Sequence, residues 1–228
     1  MPLILSIENA TPICSIALHS DGELLAFKED NLQNTQAELI TLYIDEVLKE
    51  AGKTYKDLDA IAVGKGPGSY TGLRIGVSTA KGLCYSLDIP LIGINTLEGM
   101  AAGAIESGLV KENSLLCPMI DARRMEVYCA IFDQKLTTIS LTAPVIIEET
   151  SFTNFFEDNF VTLFGNGADK CKEVLKTYKA LYINLQPSAR YLGKLALDAY
   201  NHQTFEDVAY FEPFYLKDFI ATKPKKLL

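Results

Sequence analysis

Apolar runs and helical periods succeed one another in a fixed order, and a weaker copy of that order follows. Residues 3–8 form an apolar run. Residues 13–19 follow Thr11-Pro12, and residues 23–27 follow the Asp21-Gly22 turn, so the chain opens as a three-stranded meander. Thr35 and Glu38 then stand at capping-box spacing. Leu39, Ile40, Tyr43, Ile44, Val47 and Leu48 recur with the helical period, and Gly52 is a natural stop. An apolar strand at 58–63 leads through a glycine-rich segment into a helix over 70–87. Pro90 precedes a buried strand at 91–94, and Thr96-Leu97-Glu98 opens a third helix that Gly108 closes. The copy starts near Leu109, with strands at 115–120 and 125–132. A β-branched run at 136–147 is interrupted by Pro144, and a strand at 161–164 ends in Gly165-Asn166-Gly167. Helical patterns follow at 168–177 and 189–202.

A β-β-β-α-β-α-β-α order read twice predicts an α/β protein of two mixed-sheet halves related by pseudo-symmetry. The actin-like ATPase (ASKHA, ribonuclease H-like) architecture has that plan. The expected division is 1–108, an actin-like first half, and 109–228, a degraded second half, with a return of the C-terminal segment to the first half left open. A hydrophobic share of 48% supplies the cores. The net charge of -8 opposes unaided binding to phosphate backbones, with Lys223, Lys225 and Lys226 as a local exception. The cysteines Cys14, Cys84, Cys117, Cys129 and Cys171 make no CxxC pair, which predicts reduced thiols in a reducing, cytoplasmic setting. The opening MPLILSIE lacks the basic region of a signal peptide. No run approaches about 18 apolar residues, so no membrane association is expected.

The first strand ends in Glu8, followed by Asn9-Ala10-Thr11-Pro12. In an actin-like ATPase a carboxylate at this place faces metal and phosphates. This turn has no glycine for close phosphate approach, and Pro12 removes a donor. A nucleotide turn and a hydrogen-bonded strand end both remain open. The segment GKGPGSYTGLRIG, residues 64–76, lies between a strand and a helix, with Ser69 or Thr71 as its cap. It is not a P-loop, because no GK[ST] follows at the required spacing. Gly72, Gly76 and Ala80 then recur every four residues. Glycine costs about 1 kcal/mol relative to alanine inside a helix, so the stripe calls for a close contact, within the domain or with another subunit. The two histidines, His19 and His202, are far apart, and neither HExxH nor GxSxG occurs. Asp121-Ala122-Arg123-Arg124, between two strands, reads as a solvated charged turn, an ion-pair hairpin or a polar contact site.

GKGPGSYTGLRIG, with Val77, Thr79, Ala80, Lys81 and Gly82 after it and Pro90-Leu91-Ile92-Gly93 beyond, resembles the signature of the TsaB (YeaZ) family. Residues 57–63, residues 120–128 (IDARRMEVY) and Pro213-Phe214-Tyr215-Leu216-Lys217 extend the likeness. The resemblance implies an actin-like ATPase fold and a part in forming threonylcarbamoyladenosine beside the anticodon of tRNA. It implies a non-catalytic subunit without cofactor or metal of its own, a scaffold and activator of the catalytic paralogue TsaD together with the ATPase TsaE. It further implies contact with tRNA through that complex and a homodimer when alone. Where the family often shows a His-Ser-Glu run on the first helix, this chain has Gln36 in place of the histidine. The partner surface implied is Leu39, Tyr43 and Val47 on the first helix with Tyr70, Gly72, Leu73, Arg74, Gly76, Val77, Ala80 and Lys81 on the second. A stand-alone ATP-dependent kinase or a peptidase of the same fold is the competing reading.

Overall fold

The computed structural model describes residues 1–31, 36–177 and 179–217. The meander is β1 (Leu3–Glu8), β2 (Ile13–Ser20) and β3 (Glu23–Asn31). It is followed by α1 (Gln36–Glu50), β4 (Ala60–Gly66), α2 (Tyr70–Leu87), β5 (Leu91–Asn95) and α3 (Thr96–Glu106). The second half supplies β6 (Leu115–Asp121), β7 (Glu126–Phe132), β8 (Thr138–Ile146), the one-turn α4 (Thr153–Phe156), β9 (Val161–Phe164), β10 (Ala180–Tyr182) and α5 (Gly193–Asn201). The first sheet runs β3-β2-β1-β4-β5 and the second β10-β9-β6-β7-β8. Read from the other edge, the second has the order of the first. The pairing senses match as well: β1 is antiparallel to β2 and parallel to β4, and β6 is antiparallel to β7 and parallel to β9. The duplicated plan is therefore present in both sheets.

Period-two alternation places the cores. Every residue of β1 is buried, because β1 is central and helices cover both faces. Leu3, Leu5 and Ile7 face α1 and α2, joining Ile44, Val47, Val77 and Ala80. Ile4 points the other way, to Ala60, Ile92, Leu192 and Ala196. Leu192 and Ala196 belong to the end of the chain, so α5 covers a face of the first sheet. The reverse exchange occurs in the second sheet. Leu97, Met100, Ala101 and Ala104 of α3 pack with Leu116, Ile120, Ala130 and Phe164. Each half thus lends its last helix to the other half's sheet.

The second copy is reduced where its crossovers are short. The helix expected at 168–177 is only a 3-10 turn, Asp169–Cys171, followed by further turns. The path from Gly165 to β10 has less chain than the α2 crossover, and Cys171 Sγ donates to the Gly167 carbonyl, tightening the turn. The pattern at 189–202 divides into a 3-10 turn, Ala189–Tyr191, and α5, and any side chain at Gly193 would strike the His19 ring and the Gly22 carbonyl. Lys223, Lys225 and Lys226, and the Thr35 of the capping box, lie outside the described residues. Among the described residues no helix is long and apolar enough to cross a membrane.

The helix exchange predicts a single cooperative unfolding transition for the two halves in differential scanning calorimetry, with Leu192→Ala lowering stability by about 2–5 kcal/mol. Two resolved transitions, with only one displaced by the substitution, would contradict the shared core.

Candidate functional site

The carboxyl end of β1 is the obvious place to look for chemistry, and its groups are already occupied. Glu8 is buried; its Oε1 accepts from the Ala10 N–H at 2.8 Å and its Oε2 from the Thr96 hydroxyl at 3.1 Å. Thr96 Oγ1 in turn accepts from the Gly66 N–H at 3.2 Å. Glu8 lies across Gly64, where any Cβ would collide with the carboxylate. Burial, partly offset by the bonds from Ala10 and Thr96, raises its pKa from 4.5 to about 7. The donor that would meet a phosphate is spent on Glu8, and the Ala10 carbonyl accepts from the Ser69 N–H at 2.7 Å. Gly68 and Gly72 have no space for a Cβ against Ala10 and Asn9. Asn9 Nδ2 donates to the Gly72 carbonyl at 2.9 Å, while its buried Oδ1 has no hydrogen-bond partner among the described residues. An unpartnered acceptor repels a phosphate. The turn does not fit a nucleotide phosphate, and its geometry is that of a hydrogen-bonded strand end.

The helix beside it has two unlike faces. Ser69 is the cap, accepting from the Gly72 N–H at 3.3 Å. Gly72, Leu73, Gly76, Val77, Ala80 and Cys84 are buried. A methyl on Gly72 would strike the Asn9 carbonyl, and one on Gly76 would meet Asn9, Ile7 and Val63 at 3.4, 3.6 and 3.8 Å. The small-residue stripe therefore seats α2 on its own sheet. Outward, Arg74, Ser78, Gly82, Tyr85 and Ser86 are exposed, Tyr85 at 84%. A methyl on Gly82 would meet nothing within 4 Å among the described residues. Beside it, α1 exposes Leu42 at 46%.

The C-terminal segment crosses this region as a strap. The Glu206 N–H donates to the Leu91 carbonyl, and the Phe214 N–H to the Lys65 carbonyl at 2.7 Å. Lys81 Nζ donates to the carbonyls of Ala209 and Phe211 at 3.1 and 2.9 Å. Arg74 Nε donates to the Tyr215 hydroxyl at 3.2 Å, and its guanidinium lies 4.2 Å from the centre of the Tyr70 ring. Tyr70 and Tyr215 pack with ring centres 4.8 Å apart. Lys217 then pairs with Glu126 of the second half.

The surface inferred from sequence divides accordingly. Tyr43, Val47, Gly72, Leu73, Gly76, Val77 and Ala80 are buried residues of the chain itself and lie beneath its surface. Tyr43 also donates to Asp30 Oδ2 at 2.9 Å. Leu39, Tyr70 and Lys81 are half-buried, Arg74 is exposed, and the last three are held by the strap. The surface inferred from sequence leaves out Leu42 and Tyr85, and Gly82 entered there only as part of the family signature. Gly82 continues a helical period four residues after Ser78, and Tyr85 falls on the polar side of α2; both signals were legible. No group of three or more His, Cys, Asp or Glu suited to a metal ion occurs among the described residues.

Comparison with known proteins gives these features a setting. The model of a family described as tRNA N6-adenosine threonylcarbamoyltransferase (TsaD) matches residues 32–224. The Escherichia coli tRNA threonylcarbamoyladenosine biosynthesis protein TsaB is 39% identical over 133 residues, which are 58% of this chain and 55% of that protein. The match thus spans about half the length of that curated relative. The structure described as YeaZ from Pseudomonas aeruginosa superposes with a TM-score of 0.81 at 25% identity, covering 95% of this chain and all of that one. An activator of 2-hydroxyisocaproyl-CoA dehydratase from Clostridium difficile shares the fold at a TM-score of 0.50 and 8% identity, over 89% of this chain and 96% of the other. The fold is that of the actin-like ATPases.

Two outcomes follow from this geometry. Gly72→Ala should destabilise the chain by about 1–3 kcal/mol through overpacking, whereas Gly82→Ala should stabilise it by about 1 kcal/mol, both read by urea unfolding. Glu8 is neutral in folded and unfolded states below pH 4.5, so its full contribution is present there. It is lost as pH rises through 7, where burial opposes ionisation. The stability difference between wild type and Glu8→Gln should therefore shift against wild type by roughly 3 kcal/mol between pH 4 and pH 8.5. A constant difference across that range contradicts the assignment.

Proposed function

The chain belongs to the tRNA N6-adenosine threonylcarbamoyltransferase family, in its TsaB (YeaZ) branch, and from that premise we propose that it acts in tRNA threonylcarbamoyladenosine formation as a non-catalytic subunit. In this reading it is a scaffold and activator of a TsaD-like catalytic paralogue, together with a TsaE-like ATPase, in the cytoplasm. tRNA is engaged through the complex, and the chain forms a homodimer when alone.

One observation carries the reading. The turn at the end of β1 is closed by the chain's own groups, while the neighbouring helix presents an exposed outer stripe at Ser78, Gly82 and Tyr85. Glu8 has its acceptors filled and its ionisation opposed near neutrality, which suits a structural carboxyl better than a metal ligand. A helix-interior glycine is unfavourable unless something approaches it closely, and Gly82 has no such neighbour among the described residues. Ser78, Gly82 and Ser86 stand four residues apart, beside the exposed Tyr85 and, on α1, Leu42. A facing helix could approach that low stripe and gain the aromatic ring as an anchor. The proposed interface is therefore the outer side of α1 and α2. Leu39, Tyr70, Arg74 and Lys81 lie at its margin. Tyr43, Val47, Gly72, Leu73, Gly76, Val77 and Ala80 support it from beneath.

The test combines association with turnover. With the catalytic paralogue present, Gly82→Leu combined with Tyr85→Ala should weaken the complex at least tenfold and reduce threonylcarbamoyl transfer to tRNA, while the isolated chain unfolds at the same or a higher temperature because a helix-interior glycine has been replaced. Gly76→Leu should instead lower the unfolding temperature, because its side chain meets Asn9, Ile7 and Val63. Full-strength association by the double variant rules out this face. Transfer by the highly purified chain alone rules out the non-catalytic role.

A further inference from the structure

The hairpin joining β6 and β7 stands in the second half where the Asn9 turn stands in the first, and it is built differently. Arg123 and Arg124 are consecutive residues with φ of 68° and 51°. Two successive left-handed positions favour Asn and Gly, and side chains such as arginine are strained there. The strained turn is firmly held. The Asp121 N–H donates to Asn166 Oδ1 and the Arg123 N–H to Asp121 Oδ1, both at 2.9 Å. Lys170 Nζ, from beneath, reaches Asp121 Oδ1, the Arg124 carbonyl and the Glu126 carbonyl at 2.5, 2.8 and 2.6 Å.

That scaffolding also sets the local charge. Asp121 is paired with Lys170 and Glu126 with Lys217. The two carboxylates of the hairpin are thus neutralised by lysines, and Arg123 and Arg124 remain as an uncompensated pair of positive charges in a chain of net charge -8. Both are exposed, and neither guanidinium has a hydrogen bond or ion pair among the described residues. The chain's other two arginines are engaged, Arg74 with Tyr215 and Tyr70, and Arg190 with Glu29. A free guanidinium is a planar fork suited to phosphate oxygens.

We propose that the Arg123–Arg124 hairpin is a contact for the phosphate backbone of tRNA. The proposal rests on the reading of the chain as a subunit of a tRNA-modifying complex, and it puts direct contact on a described turn in place of the lysine tail. Backbone contacts of this kind orient a nucleic acid without reading its bases. They strengthen binding in a salt-dependent way, so an acidic subunit can contribute locally while binding little tRNA by itself. The lysines are already committed to the hairpin's carboxylates, which leaves phosphate contact to the arginines.

The test uses the complex of the full chain with its catalytic paralogue and a fluorescent, unmodified tRNA transcript, titrated at several salt concentrations. Arg123→Asn combined with Arg124→Gly keeps residues that accept the turn. It should weaken tRNA binding about 3- to 10-fold and lower the slope of log affinity against log salt by about 1–2. The paralogue should bind with unchanged affinity, and the isolated chain should melt at the same or a higher temperature. Arg123→Lys with Arg124→Lys should retain most of the slope. Lys172→Gln, which removes a cation paired with Asp169 outside the hairpin, should leave it unchanged. An unchanged slope in the Asn/Gly variant overturns the proposal, as does lost association with the paralogue, which would mark the arginines as a protein contact. If the wild-type complex itself binds no tRNA, both this contact and the reading on which it rests fail.

Discussion

The seating of α2 on the end of β1 is the contact on which the rest of the structure depends. Asn9 bonds to the Gly72 carbonyl, the Ser69 N–H donates to the Ala10 carbonyl, and neither Gly68 nor Gly72 has room for a side chain. That approach fills the place where a phosphate-binding turn would need open donors. It also fixes which face of α2 is turned outward. A closed phosphate turn and a presentable helix face are thus two results of the same packing.

The strap extends this arrangement across the molecule. Lys81 and Arg74 hold it on α2, Lys65 holds it beside β5, and Lys217 carries it to Glu126. Glu126 belongs to the hairpin that displays Arg123 and Arg124. The proposed partner face and the proposed phosphate contact are therefore joined by a short run of chain, while the exchange of α3 and α5 ties the two sheets into a shared core. In the proposed role, such coupling would give the subunit a means of placing tRNA relative to a bound catalyst.

The fold was legible because its signals are local and periodic. The apolar run of β1, the Asp21-Gly22 turn and the repeated element order specify the sheets before any tertiary contact is known. The helix expected at 168–177 failed for the opposite reason: its apolar spacing is helical, but the short crossover to β10 allows only tight turns. At the candidate site, the periodicity of Gly72, Gly76 and Ala80 announced a close contact without naming its side. Spacing alone cannot distinguish a neighbouring strand from a neighbouring subunit. Burial against Asn9, Ile7 and Val63 supplies the answer. The left-handed strain at Arg123 and Arg124, and the lysine pairing around them, involve residues distant in sequence and had no sequence signal beyond the charge cluster.

The central claim is that α2 spends one face on the fold and offers the other to a partner. Amide hydrogen exchange of the chain, free and saturated with the catalytic paralogue, tests it most directly. The account predicts that exchange slows along residues 70–87 and the adjoining part of α1, while the exposed edge strand β8 is unaffected. Protection confined to β8 or to other parts of the second half, with α2 exchanging as in the free chain, would contradict it.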